Sequence, residues 1–213
     1  QINQEVAQNL PFPIEDVVWD YQILSNDDPT EADVLVVAVK KELAEDVASC
    51  AKSAGLQLSL IDSAALALYN SVRYNYADLD GCVMTLDIGA KSTSLIFIED
   101  GKLFVRSIPI GGHMITTEIS KGLGISFDAA EQLKQEKGFV ALGGTFAIQD
   151  DEEADKCSKI IRNVVTRLHM EINRSINFYR SQQGGSAPER ILLTGGGSMT
   201  KMLNEFFSEK FNI

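Results

Sequence analysis

The sequence predicts a mixed α/β protein built in two parts. Short β-rich runs alternate with helical periodicity along residues 1–80. After residue 80, three strands joined by tight turns lead into a long amphipathic helix and one further strand. The third observation concerns strand ends. Leu86-Asp87-Ile88-Gly89-Ala90 and Leu193-Thr194-Gly195-Gly196-Gly197-Ser198 each run from an apolar strand into a turn of small residues.

Residues 1–10 read as the end of a helix stopped by Pro11 and Pro13. Val17–Leu24 and Val34–Val39 read as strands, separated by a polar turn over Ser25–Thr30. Leu43–Ala54 reads as a helix with Leu43, Val47, Cys50 and Ala51 on one face, and Gly55 is placed to end it. Leu56–Ile61 alternates like a strand and would complete a ββαβ module over residues 1–61. Asp62-Ser63 can cap a helix over Ala64–Val72, and Tyr74–Asp80 is a polar connector, so residues 62–80 link this module to the second part, residues 81–213.

In the second part, Cys82–Asp87, Ser92–Ile98 and Leu103–Ile108 form an expected antiparallel meander, with Asp100-Gly101 as one turn. A helix over Met114–Lys121 ends at Gly122-Leu123-Gly124, and another starts near Ser126. Phe139–Asp155 reads as an irregular surface loop containing Gly143-Gly144 and the acidic run Asp150–Glu153. Lys156–Gln182 reads as a long helix whose Ile161, Val164, Val165, Leu168, Ile172, Ile176 and Tyr179 fall on one core-facing stripe. Arg190–Thr194 is a strand, Gly195–Gly197 a turn, and Met199–Phe207 a helix. A ligand shared by the two glycine turns requires the meander and the last strand to lie in one sheet.

The 213 residues, 45% of them apolar, suffice for one large core or two small ones. No run of about eighteen apolar residues predicts a membrane span, and no basic-then-apolar leader opens the sequence. Cys50, Cys82 and Cys157 are odd in number, far apart, and share no spacing with His113 or His169. That argues against a disulfide framework or a zinc site and fits a reducing cytoplasm. Residues 1–80 hold 14 acidic and 4 basic side chains, residues 81–213 hold 16 and 15. The acidic first part repels nucleic acid and anionic lipid and would steer a basic partner. A solvated acidic surface explains the same numbers.

The glycine turns admit a specific chemistry. Without a Cβ the backbone can approach a ligand closely, and several N–H groups can converge on an anion. The helix expected directly after Gly197 would add its N-terminal partial charge. Asp87 cannot bind phosphate, but it can orient a magnesium-bound water, because Mg²⁺ keeps most of its waters. Taken singly, an Asp-x-Gly turn is also a plain hairpin and a triple glycine is also a plain βα turn. Neither has the spacing of a P-loop or a dinucleotide fingerprint.

Their order carries a resemblance. Asp87-Ile88-Gly89-Ala90-Lys91-Ser92-Thr93 resembles the second phosphate loop of the actin-like ATPase superfamily, and Leu192–Ser198 its adenosine-binding loop. Ala130-Glu131-Gln132-Leu133-Lys134 resembles the helix whose Glu and Lys approach the ribose and base. Read alone, Asp128-x-x-Glu131 is also a helix-start pairing, and Glu131 with Lys134 a surface ion pair. Leu10-Pro11-Phe12-Pro13, Arg106-Ser107-Ile108-Pro109-Ile110-Gly111-Gly112, Glu171-Ile172-Asn173-Arg174-Ser175 and Phe178-Tyr179 resemble the PilM branch of type IV pilus assembly proteins, with FtsA of bacterial cell division a near relative.

The resemblance implies a partial actin-like (ribonuclease H-like) fold. Residues 1–61 would be the inserted 1C subdomain, 62–80 a remnant of the first lobe, and 81–213 the second lobe. It implies ATP or ADP with Mg²⁺, held by Asp87 (through water, the candidate metal and catalytic residue), Gly89, Ala90, Lys91, Ser92, Thr93, Gly111, Gly112, Glu131, Lys134, Gly195, Gly196, Gly197 and Ser198. It further implies a cytoplasmic platform, peripheral to the inner membrane, that recruits the cytoplasmic tail of a PilN-like membrane protein; self-association is compatible with this. No second Asp-x-Gly loop is found, so a fragment lacking the first phosphate loop is expected. One-sided contacts would bind nucleotide weakly, and hydrolysis is not expected of this chain alone, since it needs the phosphates clamped in line with a water. At most the full-length form would be a slow ATPase. The alternatives are an FtsA-like division protein that polymerises at the membrane, an actin-fold sugar kinase (for which no substrate base is found), and a non-hydrolysing scaffold.

Overall fold

The structure, a computed structural model, describes residues 2–23, 34–76, 78, 80–99, 102–142 and 151–213. The turns expected at Ser25–Thr30, Asp100-Gly101 and Gly143-Gly144 lie outside them. The chain divides into two compact units, residues 1–75 and 76–213.

In the first unit, α1 (Ile2–Asn9) stops before Pro11. β1 (Val17–Ile23) pairs antiparallel with β2 (Val34–Lys40), from Val17 opposite Lys40 to Ile23 opposite Val34. α2 (Lys41–Ser53) ends at Gly55, whose φ of 74° is left-handed. There the Gly55 N–H donates to the Lys52 carbonyl at 3.0 Å and the Leu56 N–H to that of Ala51 at 2.9 Å, satisfying carbonyls that a helix end otherwise orphans. α3 (Ala64–Asn75) starts at Ser63, whose hydroxyl accepts from the Leu66 N–H at 3.2 Å.

One expectation fails in this unit: residues 56–61 form no strand, so the module is ββα rather than ββαβ. Alternation records only the two-residue side-chain period, whereas a strand also needs a neighbour for its N–H and C=O groups. The β1–β2 sheet provides none at this segment, and Leu56 and Leu60 are 67% and 76% exposed. Leu43 and Val47, on the apolar face of α2, are exposed as well.

The second unit is built on a four-stranded sheet of order β5-β4-β3-β6. β3 (Val83–Ile88), β4 (Thr93–Glu99) and β5 (Lys102–Ile108) form the expected meander, and β6 (Arg190–Thr194) joins β3 in parallel, Val83 opposite Arg190 through Asp87 opposite Thr194. β3 is buried almost throughout and the centre of β4 is buried as well, as in strands covered on both faces. α4 (Gly112–Leu123), α5 (Phe127–Lys137) and α6 (Glu152–Gln182) pack together, and the predicted stripe of α6 lies in the core with Leu86, Leu95 and Phe97. Gly124, left-handed at φ 68°, ends α4, and the Ser126 hydroxyl caps α5 by accepting from the Ala129 N–H.

Two helix boundaries differ from expectation. α6 begins four residues early, taking in Glu152 and Glu153 from the predicted acidic loop. Asp151 caps it by accepting from the Ala154 N–H at 3.0 Å, and acidic side chains favour a helix N-terminus. The last helix, α7 (Leu203–Phe211), begins four residues late, because Gly196–Met199 wind as one 3-10 turn and Met202 adopts a left-handed φ of 64°.

Two motifs quoted for the resemblance tie β5 and α6 together. Arg106 donates to the Ser175 hydroxyl at 3.0 Å and pairs with Glu171 at 3.6 Å. Phe178 and Tyr179 pack on Phe104, and Tyr179 stacks on Phe97 at 4.4 Å. These residues are scaffold.

Candidate functional site

Because β3 and β6 run parallel, both end on the same side of the sheet, and both glycine turns emerge there. In open α/β sheets the crevice beyond the carboxyl ends of the strands is where ligands bind. A pocket of about 590 Å³ opens at this place, lined by Gly89 and Ala90 after β3, Gly112, His113 and Ile115 of α4, Phe127, Glu131, Lys134 and Gln135 of α5, Gly138, and Gly196, Gly197, Met199, Thr200 and Lys201 after β6.

Of the residues singled out from the sequence, Gly89, Ala90, Gly112, Glu131, Lys134, Gly196 and Gly197 meet at this pocket. Asp87, Lys91, Ser92, Thr93, Gly111, Gly195 and Ser198 do not line it, and several hold the turns in shape. The Thr93 hydroxyl, fully buried, donates to the Ile110 carbonyl at 2.7 Å. The Ser198 hydroxyl and N–H both donate to the Gly195 carbonyl. The Ser92 carbonyl accepts from the Gly89 N–H at 2.9 Å. A Cβ on Gly111 would sit 2.6 Å from the Gly89 carbonyl oxygen and 2.7 Å from that of Ala90, so glycine is required where α4 starts against the β3–β4 turn.

The three glycines after β6 differ in role. A Cβ on Gly195, at φ 81°, would meet Asp87 Oδ1 at 2.4 Å and the Ile88 carbonyl oxygen at 2.6 Å; one on Gly197 would meet Ile88 Cγ2 at 2.4 Å. One on Gly196 meets nothing within 4 Å and points into open space. Among the described residues no hydrogen bond engages the N–H groups of Ala90, Lys91, Gly196 or Gly197. These are the unsatisfied donors that an anion can take up. The helix dipole expected behind the triple glycine is absent, since the single 3-10 turn is too short to supply one.

Polar chemistry in the pocket centres on Glu131. It pairs with Lys134 at 2.7 Å and accepts from the Thr116 hydroxyl and from Gln135 at 2.9 Å. Burial pushes its carboxyl up, but the hydrogen bonds from Lys134, Thr116 and Gln135 outweigh that and hold it down at about 2. Asp87, at the end of β3, is half-buried, and among the described residues nothing pairs with its carboxylate. A lone hard oxygen donor suits a hydrated Mg²⁺. No group of three or more His, Cys, Asp and Glu side chains among the described residues could hold a metal directly.

His113, Phe127, Gln135, Gly138, Met199, Thr200 and Lys201 line the pocket without having been singled out. Thr200 and Lys201 could have been found as the continuation of the triple-glycine turn, and Gln135 as the residue four after Glu131. Phe127 and His113, which meet edge to face at 5.6 Å, carry no sequence signal of their own.

Comparison with known proteins places this arrangement. A chain of a PilM–PilN type IV pilus biogenesis complex superposes with a TM-score of 0.81 at 28% identity, over all of this chain and 59% of that one. MreB 5 of Spiroplasma citri, solved with AMPPNP, shares the fold at a TM-score of 0.59 and 18% identity, over 82% of this chain and 59% of the other. The cell division protein FtsA of Agrobacterium fabrum is 30% identical over 139 residues, 59% of this chain and 31% of FtsA; the chain thus spans about a third of that relative. The family model for type IV pilus assembly protein PilM matches residues 1–213, and the chain belongs to that family, with the mixed α/β fold of the actin-like proteins.

Proposed function

We propose that this chain is the nucleotide-holding part of a pilus-assembly platform, binding ATP or ADP with Mg²⁺ at the pocket between the two glycine turns. The observation that carries this reading is the parallel pairing of β3 with β6, which sets unpaired backbone donors of both turns and the open Cα of Gly196 around one cavity walled by Glu131. The amides of Ala90 and Lys91 take the phosphates, Gly196 and Gly197 take the adenosine, Glu131 accepts from ribose hydroxyls, and Asp87 faces a hydrated Mg²⁺. When bound, that ion neutralises phosphate charge. In the proposed scheme residues 1–61 are the 1C-like subdomain and residues 81–213 the nucleotide-binding lobe.

ATP should raise the melting temperature of the full-length protein, and Mg²⁺ should add to the rise. A ligand at a hundred times its Kd stabilises the native state by about 2.7 kcal/mol. No shift with millimolar ATP would make the glycine turns structural relics and leave a non-hydrolysing scaffold.

The same platform recruits the cytoplasmic tail of a PilN-like inner-membrane protein and works at the cytoplasmic face of the membrane. Support comes from the likeness to a chain of a PilM–PilN complex, and from the 14 acidic against 4 basic side chains of residues 1–80. Among the described residues no helix is long and apolar enough to cross a membrane. A basic tail peptide should bind the acidic module and weaken as salt rises, because charges are screened beyond about 8 Å at physiological ionic strength. Binding indifferent to salt would sink the electrostatic part of the proposal. An FtsA-like role is the second reading, and the family match over the whole chain favours the pilus role over it.

A further inference from the structure

β5 forms an edge of the four-stranded sheet, so along its seven residues alternate N–H and C=O groups point away from β4. Among the described residues no backbone group from outside the sheet pairs with Leu103–Ser107. An open edge of this length is a template for a further strand, and proteins blunt such edges with charge. Here the charge has one sign. Phe104 and Arg106 reach α6, and Lys102 shares their side of the strand by the two-residue period.

The ridge of α6 beside this edge repeats the pattern. Arg167, Arg174 and Phe178 are exposed and stand at i, i+7 and i+11, within about 20° of one line along the helix. From Lys156 to Gln182 the helix holds one acidic residue, Glu171, and two guanidinium groups share it: Arg106 at 3.6 Å and Arg174. Positive charge is therefore left over, with the Arg174 side chain 72% exposed. Phe178 packs on Phe104 at 5.7 Å yet stays 44% exposed. The contacts that hold α6 against β5 use the inner side of these residues and leave the outer side bare.

We propose that the β5 edge is a docking site for an extended acidic segment of a partner protein, which joins the sheet as a fifth strand. Positions opposite Phe104 and Arg106 lie two residues apart on one face of the added strand. An apolar side chain at the first packs on Phe104 and Phe178, and a carboxylate at the second meets Arg106 and Arg174. Main-chain bonds to β5 supply affinity, and the alternate side chains choose the sequence. Charge excludes a second copy as the occupant. Two β5 edges paired antiparallel about Phe104 would set Lys102 opposite Arg106, and like charges across a ladder are unfavourable. A lipid surface would meet the arginines but leave the backbone groups of β5 unpaired. The site is separate from the pocket beyond the ends of β3 and β6, and it takes the opposite charge from the basic tail proposed for residues 1–80.

The probe is a short synthetic peptide in which phenylalanine and glutamate stand two residues apart among threonines, added to the full-length protein at up to millimolar concentration. It should bind, slow hydrogen exchange at the outward amides of β5, and bind less well as salt rises. The same peptide with lysine for glutamate should not bind. Arg174→Glu and Phe178→Ala, each checked by its melting temperature, should weaken binding about tenfold. A further arm needs no variant: methylating the peptide nitrogens that face β5 should abolish binding, and methylating the alternate set should leave it. Equal binding of the lysine peptide, or binding indifferent to both methylations, overturns the proposal. Capture by phosphatidylserine vesicles without peptide binding would assign the ridge to a membrane and overturn it as well. If neither probe binds, Lys102 and Arg106 serve to keep the edge from pairing, and the docking site does not exist.

Discussion

Gly196→Val should abolish the thermal shift given by ATP in the full-length protein while leaving the ligand-free melting temperature unchanged. A Cβ at Gly196 meets no protein atom within 4 Å, so the branched side chain occupies only the cavity. The neighbouring substitution should do the reverse. Gly195 has φ 81°, and its Cβ would collide with the Ile88 carbonyl oxygen at 2.6 Å. A β-branched residue there is strained in its own backbone and overpacked against β3, a cost of about 3 kcal/mol or more. Gly195→Val should therefore lower the melting temperature with or without nucleotide. Two adjacent glycines would thus separate cleanly, one kept for the fold and one for the ligand. If Gly196→Val retains the full shift, the nucleotide lies elsewhere.

That division was invisible in the sequence, where Gly195-Gly196-Gly197 is one undifferentiated motif. The sheet was legible because its signals are local and mutually consistent. β3 and β4 are apolar runs of strand length closed by turn residues, and α6 repeats its apolar positions at helical spacing over about five turns, from Ile161 to Tyr179. The parallel union of β3 with β6 spans more than a hundred residues and has no local signal; it followed from requiring two turns to share one ligand.

Where the reading failed, the missing information was non-local. Leu56, Leu58 and Leu60 carry a strand's alternation, yet among the described residues no strand lies alongside to accept their backbone. The start of α7 was misjudged because Ser198 and Thr200 turn their hydroxyls back onto the Gly195 and Gly197 carbonyls, closing a 3-10 turn where apolar periodicity suggested a helix. Within the site, Glu131 and Lys134 were legible as a pair. Thr116, which joins them from α4, was not, because its part depends on two helices meeting.

Asp87→Asn should leave the ligand-free protein as stable as wild type, keep the thermal shift given by ATP alone, and remove the extra shift given by Mg²⁺. The first outcome follows from the carboxylate's surroundings: at the end of β3 it is unpaired among the described residues, so the amide breaks no ion pair or hydrogen bond there. The second follows from its sign, since a negative group beside the phosphates opposes a nucleotide that arrives without metal. The third follows from its chemistry, since an amide keeps an oxygen donor but loses the charge that a hydrated Mg²⁺ needs. Asp87→Ala should behave alike in metal response, and comparing the two variants separates charge from packing against Gly195. A lower ligand-free melting temperature in Asp87→Asn would give Asp87 a structural role at the β3–β6 junction. A Mg²⁺ increment equal to wild type would place the metal on other ligands. Loss of the ATP-alone shift would mean that the carboxylate orders the turn itself, and the phosphate contacts assigned to Ala90 and Lys91 would then depend on it.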